Sequence, residues 1–481
     1  MKIGRTRQLF IDDYLIESLE GASKHLNQPT KHPANPLLPM VPAGSSSWDA
    51  DMPVQFGSVI FDEEETVFKM WYGLWERGEK DDASVLAYAS SRDGIAWHKP
   101  TLGLLDYRGT RENNLVRTRC GIACGVFKDR HGTDAAARYK MLYVNGSEQV
   151  CAARSTDGLQ WTEYADRNPV IFHPPGHDSQ PVPYWDDGLG KYVAIIRNRT
   201  RKIAAARNDL ISDEAARNSY QQLWSGAVPD KKSLRVVGQA ESDNFVDWTP
   251  MRVVLEADSQ DPLLRGEFYN MEVLPYEGVR IGLMTVFSYS SDHCRAQVQL
   301  TFSRDGMHWE RAGDREVFLP MSDCIDDIDW GRIYPFQRPL VVGDEIWIYY
   351  TADATDHDLG RPHDAEGQEN GIALATLRLD GFVSVDAREE GMLTTKPFTF
   401  SGGRLVVNAD AARGRLRVEI LDAAGSPVPG FGSGDCDGIE SDAIHQLVTW
   451  NGRPELNSLE GRAVKLKFSL NQARLFSFKF E

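Results

Sequence analysis

Carboxylates gather at the head of apolar runs in this sequence. They stand in Trp48-Asp49-Ala50-Asp51-Met52-Pro53, in His177-Asp178-Ser179-Gln180 and in Glu267-Phe268-Tyr269-Asn270-Met271-Glu272, and Asp326, Asp327 and Asp329 precede Trp330-Gly331-Arg332. The comparable place at Cys120-Gly121 has nothing ionisable. Carboxylates brought together from distant segments suit glycoside hydrolysis, which needs an acid and a base or nucleophile on either side of the scissile bond. Glu272 lies between Met271 and Val273, so in an extended strand it faces away from both. A carboxyl in an apolar run is costly unless paired or functional. Plain structural roles compete: Asp51 as an exposed loop acid, Asp178 as the cap of a turn. His177 and His357 are secondary candidates, and Trp48, Trp75, Tyr269 and Trp330 are candidates to stack on sugar faces. The polar residues Asp49, Gln180, Asn270 and Asp329 complete the expected substrate-binding set.

These residues need a scaffold, and a repeat supplies it. Ser-x-Asp-Gly-x-x-Trp occurs as Ser91 to Trp97, Ser155 to Trp161 and Ser303 to Trp309. A degenerate copy, Ser242 to Trp248, keeps the Ser-to-Trp spacing, and Asp380-Gly381-Phe382 is a shorter relic. Asp-Gly suits a tight turn, because Gly accepts positive φ and Asp bonds its own backbone. Before each copy comes an apolar strand, a turn and a second strand rich in aromatic and branched residues, as in Gly57–Phe61 and Phe68–Tyr72. Short strands separated by such turns predict all-β structure, and five such units predict a five-bladed β-propeller. In that fold the leading ends of the inner strands line a central funnel, which is where the acids fall. Pro339–Val342 reads as the first strand of the fifth unit. Asn35-Pro36-Leu37-Leu38, Asn114-Leu115-Val116 and Asn168-Pro169-Val170-Ile171 read as connectors into the first three units.

From about Phe398 the texture changes to period-two alternation, as in Gly414–Leu421 and Arg474–Phe480, the mark of half-buried antiparallel strand. The expected organisation is an N-terminal segment over 1–45 packing on the propeller, the propeller over 46–390 and a C-terminal β-sandwich over 398–481. A net charge of −17 disfavours nucleic acid and anionic membrane surfaces as partners. It also disfavours acidic polysaccharide unless a basic run such as Arg197 to Lys202 lines the cleft; that run reads first as a solvated loop. The six cysteines have no metal-binding spacing, and neither metal nor cofactor is expected. No segment approaches membrane-spanning length. The start lacks the apolar stretch of a signal peptide, which fits a cytoplasmic protein or a secreted one whose signal has been removed.

The chain resembles the five-bladed propeller hydrolases of glycoside hydrolase families 32, 43 and 68, and among these the bacterial family 32-like proteins with a C-terminal sandwich. The stretches that carry the resemblance are Phe10-Ile11-Asp12-Asp13-Tyr14-Leu15-Ile16, Asp178-Ser179-Gln180 ahead of Tyr184-Trp185-Asp186, and Phe268-Tyr269-Asn270-Met271-Glu272-Val273. The resemblance implies a glycosidase, with furanoside-type sugars favoured. It implies Asp51 as nucleophile or base, Asp178 as the stabiliser of the transition state and Glu272 as general acid. The chain departs from the family 32 signatures. Trp-Met-Asn-Asp-Pro-Asn-Gly and Arg-Asp-Pro are absent, and Val273 follows Glu272 where that family has Cys, so an invertase is not implied. Three other readings stay open: a non-catalytic glycan-binding propeller, a sialidase-like enzyme suggested by the Asp-Gly repeat, and a family 130-type phosphorylase.

Overall fold

A computed structural model describes residues 1–77, 84–120, 123–147, 149–171, 179–200, 234–261, 267–289, 294–357 and 366–481. The protein is all-β; among the described residues the only helical elements are two short 3-10 turns, Ala135–Ala137 and Gly313–Arg315. No described helix is long and apolar enough to cross a membrane. Three four-stranded sheets follow one another along the chain. The first is Val54–Asp62, Val67–Leu74, Val85–Ser91 and Leu115–Thr118, and the second is Cys124–Lys128, Tyr139–Val144, Val150–Ser155 and Thr162–Glu163. The third is Val182–Asp186, Lys191–Thr200, Leu234–Ser242 and Arg252–Leu255. An eleven-stranded sheet then runs through Glu267–Tyr276, Val279–Tyr289 and Cys294–Ser303 to Arg332–Pro335, Glu345–Asp353 and Asn370–Arg378.

The hairpins stand where the Asp-Gly turns predict them, and each turn is built the same way. Gly94, Gly158 and Gly306 have φ of 75°, 79° and 75°. Their N–H groups donate to Ser91, Ser155 and Ser303 Oγ at 2.9, 2.8 and 2.9 Å. The Asp of each copy accepts the next two backbone N–H groups, at 2.8 and 2.9 Å for Asp157. In the degenerate copy Asn244 takes the place of Asp, and Phe245 adopts φ 68°. The turn also clasps the adjacent sheet: Trp71 Nε1 donates to Gly158 O at 2.6 Å and Tyr349 OH to Gly94 O at 2.7 Å.

Buried ion pairs join the same sheets at the far ends of their leading strands. Asp62 accepts from Lys69, Lys128 and Tyr139 at 2.9, 2.8 and 2.6 Å. Asp129 accepts from Tyr192 at 2.7 Å, and Asp186 from Arg280 Nε at 2.8 Å. Val54–Asp62 packs on Cys124–Lys128, and that strand on Val182–Asp186. Glu345–Asp353 packs back on Val54–Asp62, with Thr351 Oγ1 donating to Gln55 O at 2.6 Å.

Three details differ from the sequence pattern. Leu340–Val342 is not the leading strand of its unit; Arg332–Pro335 is, and both pair with Glu345–Asp353 around Arg338 at φ 63°. The three Asn segments are outer edges before they are connectors. Asn35, Asn114 and Asn168 donate from their amides to Leu374, Tyr88 and Ala152 carbonyls at 2.9, 2.6 and 3.1 Å, mimicking a strand on the sheet's free side. Asn35 therefore belongs to the edge of the eleven-stranded sheet, where Thr30–Lys31 and Leu38–Pro39 pair with Asn370–Arg378. Arg197 to Thr200 lie on the strand Lys191–Thr200 rather than in a solvated loop, and Arg197 is buried; residues 201 and 202 lie outside the described residues.

The remaining sheet has eight strands. Val464–Phe480 is its spine, pairing with Val383–Thr395, Leu405–Asp410 and Arg415–Asp422, and Gln472 within it has φ 44°. Residues from the start of the chain join it: Gln8–Leu9 pairs with Val464–Phe480, and Ile16–Glu20 and Ser23–Leu26 pair with Val383–Thr395.

Candidate functional site

The leading ends of the first strands meet over an aromatic floor. Phe56 and Tyr269 stack at 6.2 Å, Tyr334 lies 5.3 Å from Phe56 and 5.2 Å from Tyr269, and Phe287 meets Tyr269 edge-on at 5.0 Å. All four rings are buried. Beside them Gln180 donates from Nε2 to Cys124 O at 2.6 Å and Gly57 O at 3.0 Å, tying the third sheet to the first two. Gln337 makes the matching bond to Pro183 O at 2.6 Å. Gln180 is thus a strut between strands.

Charged groups surround the floor. Glu267 opens its strand, is buried, and pairs with Arg235 at 2.7 Å. Arg332 opens its own and pairs with Asp353 at 2.6 Å. Burial works against the Arg332 charge, but Asp353, Tyr334 and Tyr269 outweigh it and raise its pKa. The guanidinium groups of Arg197 and Arg235 lie 5.3 and 5.6 Å from the centre of the Tyr269 ring. The His357 ring meets Phe287 edge-on at 4.7 Å, and the His357 backbone N–H donates to Cys294 O at 2.9 Å.

Asp51 has φ 59° and a half-exposed side chain paired with Arg77 at 3.1 Å. Arg77 also pairs with Glu369, so it spans the first sheet and the eleven-stranded one. Asp49 is buried against Lys99 at 2.7 Å and Ser47. Trp48 packs edge-on against Tyr107 at 6.0 Å. Asp329 is buried between Lys31 at 2.7 Å and Tyr350 OH at 3.0 Å, which ties down the N-terminal segment. Asp178 and His177 lie outside the described residues.

Glu272 is wholly buried in mid-strand, opposite Leu283. Asn270 Nδ2 donates to its Oε1 at 2.8 Å, while its Oε2 and the Asn270 Oδ1 have no hydrogen-bond partner. Burial raises the Glu272 pKa well above the usual carboxylate range, only partly offset by Asn270. Among the described residues no group of three His, Cys, Asp or Glu side chains could hold a metal ion.

The sequence pattern brings Tyr269, Gln180 and His357 to this floor, together with Glu267 from the run that ends in Glu272. Arg235, Asp353, Tyr334 and Phe56 are additions from the structure. Arg332 and Glu267 were findable by the rule that located the acids, since both open a leading strand. Arg235 was not, because its closeness to Arg197 depends on a hairpin whose two strands are separated by 33 residues, 201–233.

No family model matches the chain. Two curated relatives, both uncharacterized proteins of Mycobacterium tuberculosis, are 29% identical over 122 residues and 27% identical over 120. Each alignment takes in 24% of this chain, which spans only 37% of the length of either relative. Among solved structures, an N-acetylgalactosamine deacetylase from F. plautii is 16% identical, with a TM-score of 0.47 over 74% of this chain and 96% of its own. A glycosyl hydrolase from Bacteroides ovatus is 12% identical, with a TM-score of 0.44 over 74% and 94%. A β-1,2-mannobiose phosphorylase from Listeria innocua is also 12% identical, with a TM-score of 0.44 over 73% and 96%.

Proposed function

We propose that the chain is a glycosidase built as a five-bladed β-propeller with a C-terminal β-sandwich, acting on oligo- or polysaccharide at the mouth where the leading strands begin. Three blades are the four-stranded sheets. The other two are the halves of the eleven-stranded sheet, divided at the one parallel pair among its described residues, Ala296 with Arg332. The return of Glu345–Asp353 onto Val54–Asp62 supports a closed ring. The turn at Gln472, which lets Val464–Phe480 serve two sets of partners, supports the sandwich. In this reading the propeller runs from about 46 to Asn370–Arg378, and Val383–Thr395 and the strands of residues 8–26 join the residues 398–481 in the sandwich.

The observation that supports the reading is the approach of Glu267 and Asp353, from two different blades, to one aromatic floor, with Asp51 at the head of a third blade paired with Arg77. Carboxylates so gathered suit stabilisation of an oxocarbenium-like state. In this scheme Asp51 is nucleophile or base, Asp178 steadies the transition state, and Glu272 is the acid, held protonated by burial. One observation favours a second reading, a non-catalytic glycan-binding propeller: Glu272 exposes none of its surface, and Asp51 is engaged by Arg77.

Sugar release from an oligosaccharide and aryl-glycoside panel tests both. Wild type is expected to release sugar, with Glu272→Gln and Asp51→Asn each slower by about a hundredfold or more. Full activity of Glu272→Gln with loss in Glu267→Gln would move the acid to Glu267. Binding of glycans with no release from any of them would establish the second reading.

A further inference from the structure

We propose that the chain carries a second glycan site away from the mouth, at a cavity between the N-terminal segment and the turn Arg304-Asp305-Gly306, where the Tyr14 ring receives one sugar of a neutral polysaccharide. The inference rests on the glycan reading above and adds a site that holds polymer without cleaving it. The cavity has a volume of about 580 Å³, within the range of roughly 300–1,000 Å³ usual for ligand sites. It draws on a stretch of sequence that packing only half explains. Phe10, Ile11, Leu15 and Ile16 are buried, while Asp12, Asp13 and Tyr14 between them line the cavity.

Tyr14 is 45% exposed, and it is the one exposed Phe, Tyr or Trp among the described residues. Single exposed apolar side chains are common on any protein, but this one is fixed from two sides. Its backbone N–H donates to Asp12 Oδ1 at 3.2 Å, and its ring lies 4.1 Å from the Arg304 guanidinium. Arg304 in turn donates from Nε and Nη2 to the two Asp12 oxygens, at 2.6 and 2.9 Å. One aspartate thus locks both the loop and the cation on the ring. A ring held still in advance loses less entropy when a ligand docks on it. With Arg304 over one face, the other is the face for the sugar.

The charges around the ring point to a neutral polyol. Asp12 with Arg304 and Asp13 with Lys24 cancel in pairs. Glu310 and Asp314 line the same cavity and have no hydrogen-bond or ion-pair partner among the described residues. Free carboxylates accept from hydroxyls and repel an anionic ligand. The site is also remote from the mouth. Cys294 packs with Tyr269 and Phe287 at the aromatic floor, and the ten residues of Cys294–Ser303 carry the chain away from it to Arg304, a distance of about 30 Å. A mono- or disaccharide cannot span it, so the two sites read different lengths of glycan.

The test is retention of the full chain in native gels cast with arabinan, levan or mannan, read beside sugar release from small aryl glycosides. Tyr14→Ala is expected to weaken retention by about tenfold and to leave release from the small glycosides unchanged. Tyr14→Phe, which keeps the ring, is expected to match wild type. If Tyr14→Ala does not fold, Arg304→Gln, which loosens the ring without removing it, is expected to weaken retention instead. Equal retention of wild type and Tyr14→Ala overturns the second site and leaves the glycosidase reading intact. Parallel loss of small-glycoside release overturns it too, since a remote site cannot act there. Stronger retention by an acidic polysaccharide such as polygalacturonate overturns the neutral assignment. No retention and no release with any glycan removes both the site and the reading it rests on.

Discussion

Glu272 is a fully buried carboxyl, and that has a thermodynamic signature separate from any activity. Its pKa in the folded protein is raised, mainly by burial. The unfolded chain therefore releases this proton at lower pH than the folded protein does. The contribution to stability is full below the ordinary glutamate value of 4.5 and is lost as pH rises toward the folded value. Glu272→Gln keeps the shape and removes the titration. The variant is expected to gain on wild type by about 1.4 kcal/mol for each pH unit across that window. Urea unfolding of both proteins between pH 5 and 8 measures it; parallel curves would mean that Glu272 is ionised and paired in the fold.

Much of the residue-scale picture was legible in the sequence, and the reason is local. Glu272 sits between Met271 and Val273, so period two alone isolates it from the apolar faces. Asp49 and Asp329 share the acid-before-strand position with Asp51, yet each is held by a lysine, Lys99 and Lys31, far away in sequence. Position before a strand cannot separate a structural acid from an open one when the partner arrives by tertiary contact. Arg197 misled for the same reason: the polar run that looks like a loop is the end of a strand turned inward.

At the scale of elements, two devices hold neighbouring sheets together, and they respond to different perturbations. The Asp-Gly turn works by shape. A Cβ on Gly158 would lie 2.6 Å from Trp71 Cζ2, at a φ that side chains rarely adopt. Gly158→Ala is expected to cost roughly 2–3 kcal/mol, through strain and displacement of Trp71. Asp157→Ala, which loses three hydrogen bonds in an exposed turn, is expected to cost about 1 kcal/mol. Chemical denaturation of the two variants gives the order, and a reversed order would mean that the turn works through its hydrogen bonds.

The buried ion ties work by charge. Burial would raise the Asp62 pKa, but hydrogen bonds from Lys128, Tyr139 and Lys69 overcome it and hold the carboxyl well below its usual range. Here the sign is opposite to Glu272. The stability is present above the ordinary aspartate value of 3.8 and is lost as pH falls below it. Asp62→Asn leaves Lys69 and Lys128 without this partner and is expected to cost about 3 kcal/mol or more at neutral pH. The gap to wild type should narrow in acid, as thermal unfolding at pH 3 and pH 7 would show. These ties were not legible in the sequence, because Asp62 belongs to one sheet and Lys128 and Tyr139 to the next; the hairpins were, because each is written within a short span around an Asp-Gly turn.

For the whole molecule, the first forty residues decide how independent its parts are. Leu9, Ile11 and Leu26 pack in the same apolar core as Leu283, Ile348 and Val383, which unites the eleven-stranded sheet with the C-terminal one. Thr30–Lys31 and Leu38–Pro39 then complete the edge of the eleven-stranded sheet. Calorimetry is expected to show one cooperative transition for the full chain. Removing residues 383–481 is expected to give insoluble protein, since the strands of residues 8–26 would lose their partners. Two separate transitions, or a soluble and folded truncation, would mean that the shared core contributes little.

The pairing of early strands with late ones also bears on the order in which the molecule can be made. During synthesis the segment through Leu38–Pro39 emerges long before its hydrogen-bonding partners, Asn370–Arg378, Val383–Thr395 and Val464–Phe480. The three intervening four-stranded sheets can each close from contacts within their own stretch of chain. On the ribosome the nascent protein must therefore carry these strands unpaired until the partners more than 300 residues further on have been made. Its completion is a late event of high contact order, and the interval before it is when chaperones have most to protect.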